Sequence, residues 1–244
     1  MEKKIHAIII GDEILSGKRQ DKHLNYLATT LNGKGLSLHK VDYVPDDLYQ
    51  ISETIQNKLD CIVFCFGGIG ATPDDCTRQA AAKAHQRKLA RHPEALRLIV
   101  DRFGSDAYPK RVLMSEIPVG ADIIPNKIND IPGFSVGEHY FMPGFPEMSW
   151  PMVQWVLEKY YADKVNDKHL DLSIWIDDVP ESKLIDLMNE IKNDNPRIKI
   201  YSLPKLKPKM TIELGVRGDE SSAYKAMEQI KQGLIVLNYE WSNQ

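Results

Sequence analysis

Several things are scarce in this chain of 244 residues, and each scarcity removes a class of protein. Only three cysteines occur, Cys61, Cys65 and Cys76. That odd number, without paired zinc-type spacing, excludes a disulfide framework and a cysteine metal site. Two of the three fall inside an apolar run, which predicts reduced core residues. Positive charge is not in excess: 31 Lys and Arg stand against 34 Asp and Glu, for a net charge of −3. A nucleic-acid partner, which demands a basic face, is therefore not expected. No apolar run reaches the ~20 residues needed to span a bilayer. The run Ile5–Ile10 after two lysines is too short for a secretion signal and is ended by Gly11-Asp12-Glu13. The expectation is a soluble cytoplasmic protein with no membrane partner, whose ligand is a small molecule.

What the chain does contain is a glycine-rich turn between two periodic segments. Cys61–Phe66 reads as a fully buried strand, the alanine-rich segment Arg78–Arg87 reads as a helix, and Gly67-Gly68-Ile69-Gly70-Ala71-Thr72-Pro73-Asp74-Asp75-Cys76-Thr77 joins them. The spacing predicts Thr72 as helix N-cap and Pro73 as the first helical residue. Glycines that admit close backbone approach, beside free N–H groups at a helix end, suit a phosphate. Asp74 and Asp75 oppose a bare phosphate, so either a divalent cation mediates or the two acids only complement the helix dipole.

Strand-like and helical runs alternate through the first two thirds: Ile5–Ile10, a helix near Asp21–Leu31, Leu36–Val44, a helix near Leu48–Lys58, then Cys61–Phe66 and its helix. A helix over Pro93–Phe103, short strands at Asp122–Ile124 and Tyr140–Met142, and a helix over Pro146–Tyr160 complete an α/β domain, residues 1–161, with a doubly wound, mainly parallel sheet. A polar linker is expected at Ala162–Lys168. Residues 168–244 follow a strand, helix, two strands, helix pattern, a second, smaller α+β domain. Its basic run Pro204–Lys209 reads as a solvated turn before it reads as an anion site.

In a doubly wound sheet ligands sit beyond the carboxyl ends of the strands where strand order reverses. The loops after the first and third strands, Gly11–Gly17 and Gly67–Thr77, should therefore face each other. Pro45-Asp46-Asp47 emerges at the same edge, with Asp47 placed to cap the next helix and Asp46 to reach the cleft. Lys18, Arg19 and Arg78 either supply charge to a phosphate or are solvated. Of the histidines, His6, His85, His92 and His139 show no convincing metal spacing. The tryptophans read as packing, with Trp150 placed to border the pocket. Ser16 has no visible general base, so a serine nucleophile is not expected.

Gly11-Asp12-Glu13-Ile14-Leu15-Ser16-Gly17 with Gln20-Asp21, Val44-Pro45-Asp46-Asp47, Gly67-Gly68-Ile69-Gly70 with Asp74-Asp75-Cys76-Thr77, and Met142-Pro143-Gly144-Phe145-Pro146-Glu147-Met148 occur in that order. Together they resemble the molybdopterin-binding (MoaB/Mog-like) domain family, and more closely its CinA-like, competence/damage-inducible branch. The small domain resembles the CinA middle domain by pattern. The resemblance implies a homo-oligomeric, metal-dependent pyrophosphohydrolase of an ADP-ribose-like nucleotide, using Mg, Mn or Co. It implies Asp75 and Asp46 as catalytic and metal-holding residues. It further implies nucleotide or pterin contacts from Gly11, Asp12, Glu13, Ser16, Asp21, Gly67, Gly68, Gly70, Thr72, Asp74, Thr77, Pro143 and Gly144. The alternatives are a molybdopterin adenylyltransferase of molybdenum cofactor biosynthesis and a non-catalytic nucleotide or pterin binder. Asp74 stands where Mog-type transferases carry arginine, which weighs against the first alternative. Pro73 and His23 replace a histidine and an asparagine usual in the CinA-like branch. The nicotinamide mononucleotide amidase activity of full-length CinA proteins is not expected of these 244 residues.

Overall fold

The computed structural model describes residues 3–162, 169–205 and 209–243. The chain divides into two compact units, Met1–Asp163 and Lys164–Gln244. Most of the expected linker, and residues 206–208 of the basic run, lie outside the described residues.

In the first unit the order is β1 (Ile5–Ile10), α1 (Asp12–Leu15), α2 (His23–Asn32), β2 (Leu38–Val44), α3 (Leu48–Gln56), β3 (Ile62–Phe66) and α4 (Thr77–Ala84). Then come β4 (Leu89–Arg91), α5 (Pro93–Phe103), two short 3-10 turns, β5 (Glu116–Pro118), β6 (Asp122–Ile124), β7 (Gly133–Val136), β8 (His139–Met142) and α6 (Pro146–Tyr160). Among the described residues a six-stranded sheet runs β2-β1-β3-β8-β7-β6. β2, β1, β3 and β8 are parallel, and β7 and β6 are antiparallel additions. β4 and β5 pair separately.

β1, β3 and β8 are buried on both faces, as crossover helices require, whereas the edge strand β2 buries only Val44. Ile5, Ala7, Ile9, Phe64, Phe66, Tyr140 and Met142 enter one core with α2 and α6, and Ile8, Ile10, Val63, Cys65 and Phe141 enter another with α3 and α4. This is why β1 and β3 read as continuous apolar runs. A small third cluster, Ile99, Ala107 and Val112, sits under α5 and the 3-10 turns. All three cysteines are free, and burial raises the pKa of the Cys65 thiol.

In the second unit β9 (His169–Asp177), α7 (Ile185–Asp194), β10 (Lys199–Lys205), β11 (Thr211–Asp219), α8 (Glu220–Val236) and β12 (Trp241–Ser242) form an antiparallel sheet, β10-β11-β9-β12, beside two helices. Ile174, Ile176, Leu214, Val216, Ile191 and Ile230 belong to its core. Lys205 lies over the Trp175 ring, and Lys209 pairs with Asp177 and Asp178, so the described ends of the basic run are occupied locally. No helix among the described residues is long and apolar enough to cross a membrane.

Candidate functional site

Strand order reverses between β1 and β3, and the loops after β1, β2, β3 and β8 meet there. Backbone bonds tie them: the Gly11 N–H donates to the Val44 carbonyl at 3.1 Å and the Gly67 N–H to the Met142 carbonyl at 3.0 Å. Gly67 has φ +107°, and a Cβ there would fall 2.3 Å from the Ile10 carbonyl oxygen, so only glycine lets β3 turn this close to β1. Gly68 (φ +65°) is packed as tightly over the Thr77 hydroxyl. The meeting point is a cleft of about 380 Å3.

Much of the expected site lines this cleft: Gly11, Glu13, Asp46, Gly67, Gly68 and Gly70, together with Thr72, Asp74, Asp75, Pro143 and Gly144. Asp12 is tied to Asp46 through backbone and side chain: its N–H donates to Asp46 Oδ2 at 2.9 Å, and its Oδ1 accepts from the Asp46 N–H at 3.4 Å. Burial raises the Asp46 pKa, and the neighbouring charges of Asp12, Glu13 and Asp74 raise it further, against the lowering effect of the Asp12 N–H.

Asp75 is anchored differently. Its Oδ2 accepts from the Thr72 N–H at 2.9 Å and the Thr72 hydroxyl at 2.5 Å, a loop-closing contact inside the glycine-rich turn. This corrects the expected helix start. α4 begins at Thr77 with Cys76 before it, and neither Thr72 nor Pro73 is a cap. The reason is the Thr72–Asp75 contact together with the Asp75 N–H bond to the Thr72 carbonyl, which make a separate turn of residues 72–75. The Thr77 N–H is likewise spent on the Gly68 carbonyl, which leaves Gly68, Ile69 and Gly70 of the glycine-rich segment at the cleft wall.

Four expected contacts do not reach the cleft wall: Asp12, which is bonded to Asp46, and Thr77, Ser16 and Asp21. Thr77 is fully buried, its hydroxyl without a partner beneath Gly68. Ser16 closes α1, where its N–H bonds to the Asp12 carbonyl. Asp21 lines an adjoining recess and is occupied by the N–H groups of His23 and Leu24 and by the Tyr43 hydroxyl. Burial and that bond push the Tyr43 pKa up to about 12.

The charged side chains separate cleanly. Arg78 is buried and bonded to the carbonyls of Gly70, Leu113 and Glu116, so it braces the loop against the 3-10 segment. Arg19 is the cation that lines the cleft among the described residues, 4.0 Å from Glu13. Glu13, Asp46, Asp74 and Asp75 face it, four carboxylates against one guanidinium. No group of three or more His, Cys, Asp or Glu among the described residues forms a ready-made metal cage.

Met114, Asn129 and Ile131 carried no sequence signal. With Phe145 and Met148 of the Met142–Met148 motif they make an apolar half of the cleft with one amide. Phe145 is half exposed, the aromatic ring at the cleft, while Trp150 stacks on Tyr26 at 4.4 Å and is no part of the wall. His23 stacks on Phe66 at 4.4 Å and its Nε2 bonds to the Gly144 carbonyl at 3.1 Å. A carbonyl only accepts, so that nitrogen carries the proton. Burial lowers the His23 pKa and keeps the ring neutral. The asparagine usual at this place is thus replaced by a residue that holds the β3 and β8 loops together.

A sequence profile described as "Probable molybdopterin binding domain" matches residues 6–163. The chain belongs to the molybdopterin-binding domain family. A CinA-like protein of Desulforapulum autotrophicum is 32% identical over 213 residues, 80% of this chain and 50% of that one, so this chain spans half of that relative's length. An Archaeoglobus fulgidus protein is 28% identical over 227 residues, 92% of this chain and 95% of its own. Among solved structures, the protein CinA of Thermoplasma acidophilum, described as of unknown function, matches with a TM-score of 0.59 and 28% identity. That match covers 64% of this chain and 96% of that one.

Proposed function

We propose that this molybdopterin-binding-family domain hydrolyses the pyrophosphate bond of an ADP-ribose-like nucleotide in a reaction that uses a divalent cation. The observation that carries the reading is the cleft's composition: glycine backbone on one side, four carboxylates against one guanidinium on another, and an apolar wall for a ring. A pyrophosphate placed there without a cation would meet net negative charge. Magnesium-type ions are commonly held by one or two carboxylates plus substrate phosphates rather than by an all-protein cage, so Asp46 and Asp75 fit as its protein ligands. When bound, the cation neutralises the pyrophosphate and lowers the pKa of a coordinated water.

The chain's own groups do the rest. Thr72 fixes the Asp75 carboxylate, the Asp12 N–H fixes Asp46, and each reaches the substrate already oriented. Gly68–Gly70 bring backbone to the phosphates. Arg19 contributes the protein's positive charge at the cleft. Water oxygen attacks one phosphorus, the bridging P–O bond breaks, and AMP and ribose 5-phosphate leave.

The family match favours a second reading, a pterin phosphate in the same cleft as ligand of a binding protein or as acceptor for adenylylation. Asp74 in place of an arginine supports hydrolysis over transfer. Calorimetric titration with the non-hydrolysable α,β-methylene analogue of ADP-ribose tests the site: affinity should rise about tenfold or more when Mg2+ is present, and Asp46→Asn should abolish that increment. Metal-independent affinity, unchanged in Asp46→Asn, would remove the cation from the reading.

A further inference from the structure

The apolar half of the cleft contains one polar side chain whose orientation is settled by its neighbours. Asn129 Oδ1 accepts from the Ile131 N–H at 3.0 Å and from Asn126 Nδ2 at 2.8 Å. A backbone N–H has only a proton to offer, so the atom facing it is the amide oxygen and the NH2 group points the other way. Asn126 is itself buried and fixed, with Nδ2 also on the Ile131 carbonyl and Oδ1 receiving the Ile128 N–H. The amide is therefore held from behind by a rigid loop, 126–131, while its NH2 meets a thioether, Met148 Sδ at 3.4 Å. Sulfur is a weak acceptor. Met114, Ile131, Phe145 and Met148 line the space beside it, surfaces suited to a flat aromatic ring.

We infer that Asn129 is a specificity-determining residue that donates from its NH2 to a ring nitrogen or exocyclic carbonyl of a heteroaromatic ligand seated between Phe145 and the Met114–Ile131 wall. This rests on the reading of the cleft as a site for a ring-bearing pyrophosphate, and it adds which edge of the ring is read and by what. A purine and a pterin share that acceptor chemistry. A side chain built to donate rejects a ligand that offers no acceptor.

Asn129→Asp is the direct test, because the carboxylate still accepts from Ile131 and Asn126 but replaces the donor with a second acceptor. Dissociation constants are measured with Mg2+ for ADP, 6-hydroxymethylpterin diphosphate and inorganic pyrophosphate. The added charge repels all three, so the decisive quantity is loss beyond that seen for pyrophosphate, which has no ring. The expected excess loss is about tenfold or more for whichever ring ligand the unsubstituted chain binds. Equal losses for ring and ringless ligands would overturn the assignment. Binding of pyrophosphate alone by the unsubstituted chain would overturn it while leaving the phosphate site standing. Binding of none of the three would remove the underlying reading as well. If Asn129→Asp does not fold, ADP analogues with CH in place of ring nitrogen 1, 3 or 7 decide on the unsubstituted chain. One of them must bind about tenfold more weakly, and equal binding of all three overturns the assignment.

Discussion

Gly67 and Gly17 both have positive φ, at +107° and +73°, yet their surroundings differ. A Cβ on Gly17 meets nothing within 4 Å, whereas one on Gly67 strikes the β1 backbone. Gly17→Ala should cost about 1 kcal/mol of stability. Gly67→Ala should cost at least about 3 kcal/mol, with loss of ADP-ribose binding, since strain and displacement of a strand add. Urea unfolding of the two variants checks the difference, and equal costs would contradict the assigned close approach. His23→Ala, which removes the Gly144 bond and the Phe66 stack, should cost about 2 kcal/mol and weaken ADP-ribose binding by freeing the β8 loop. Unchanged affinity in a folded variant would deny His23 that positioning role. At this scale glycine was the legible residue, because its type reports the backbone it permits. Arginine was not. Arg19 and Arg78 look alike in sequence, and only the burial of Arg78 among three carbonyls shows that it braces the loop while Arg19 faces the cleft.

α4 and β8 meet through two histidines, His85 Nε2 and His139 Nδ1 at 3.1 Å, with His139 Nε2 on the Lys58 carbonyl at 2.9 Å. Burial first, then the His139 and Arg87 charges, lower the His85 pKa from 6.5 to about 4, and burial lowers that of His139. An unfolded chain takes up a proton near 6.5 that folded His85 refuses until about 4, and burial makes His139 resist protonation in the same direction. Stability is therefore complete above pH 6.5 and is lost as pH falls through that window. The melting temperature should drop between pH 6.5 and 4, and His85→Gln should make the drop shallower, as thermal scans at several pH values would show. An unaltered drop would mean that the pair does not carry it. Residue spacing alone did not join these histidines, which lie 54 positions apart and meet only through tertiary packing. The long apolar strands and the helices of the first unit were legible from periodicity, α4 less so. Its first residue moved from Pro73 to Thr77, and its cap from Thr72 to Cys76, because a side-chain contact, Thr72 to Asp75, outcompeted the capping pattern. β4, β5 and β7 are three or four residues long and show no sequence period to read.

Across the whole molecule, the order of four loop motifs carried the family and the cleft, because a doubly wound sheet sends the ends of its parallel strands to one place. The apolar half of the cleft was legible only where the Met142–Met148 motif reaches it. Met114, Asn129 and Ile131 come from connections after β3 that return to the site only once the antiparallel strands are added to the sheet edge. The central claim is chemical, that this cleft breaks a nucleotide pyrophosphate with Asp75 at the reacting phosphates. The most direct measurement is AMP release from ADP-ribose with Mg2+, Mn2+ or Co2+, by the unsubstituted chain and by Asp75→Asn in parallel. The account predicts metal-dependent AMP and ribose 5-phosphate from the former and none from the latter, which still binds the nucleotide. No AMP with any of the three metals, or equal rates from both chains, would contradict it.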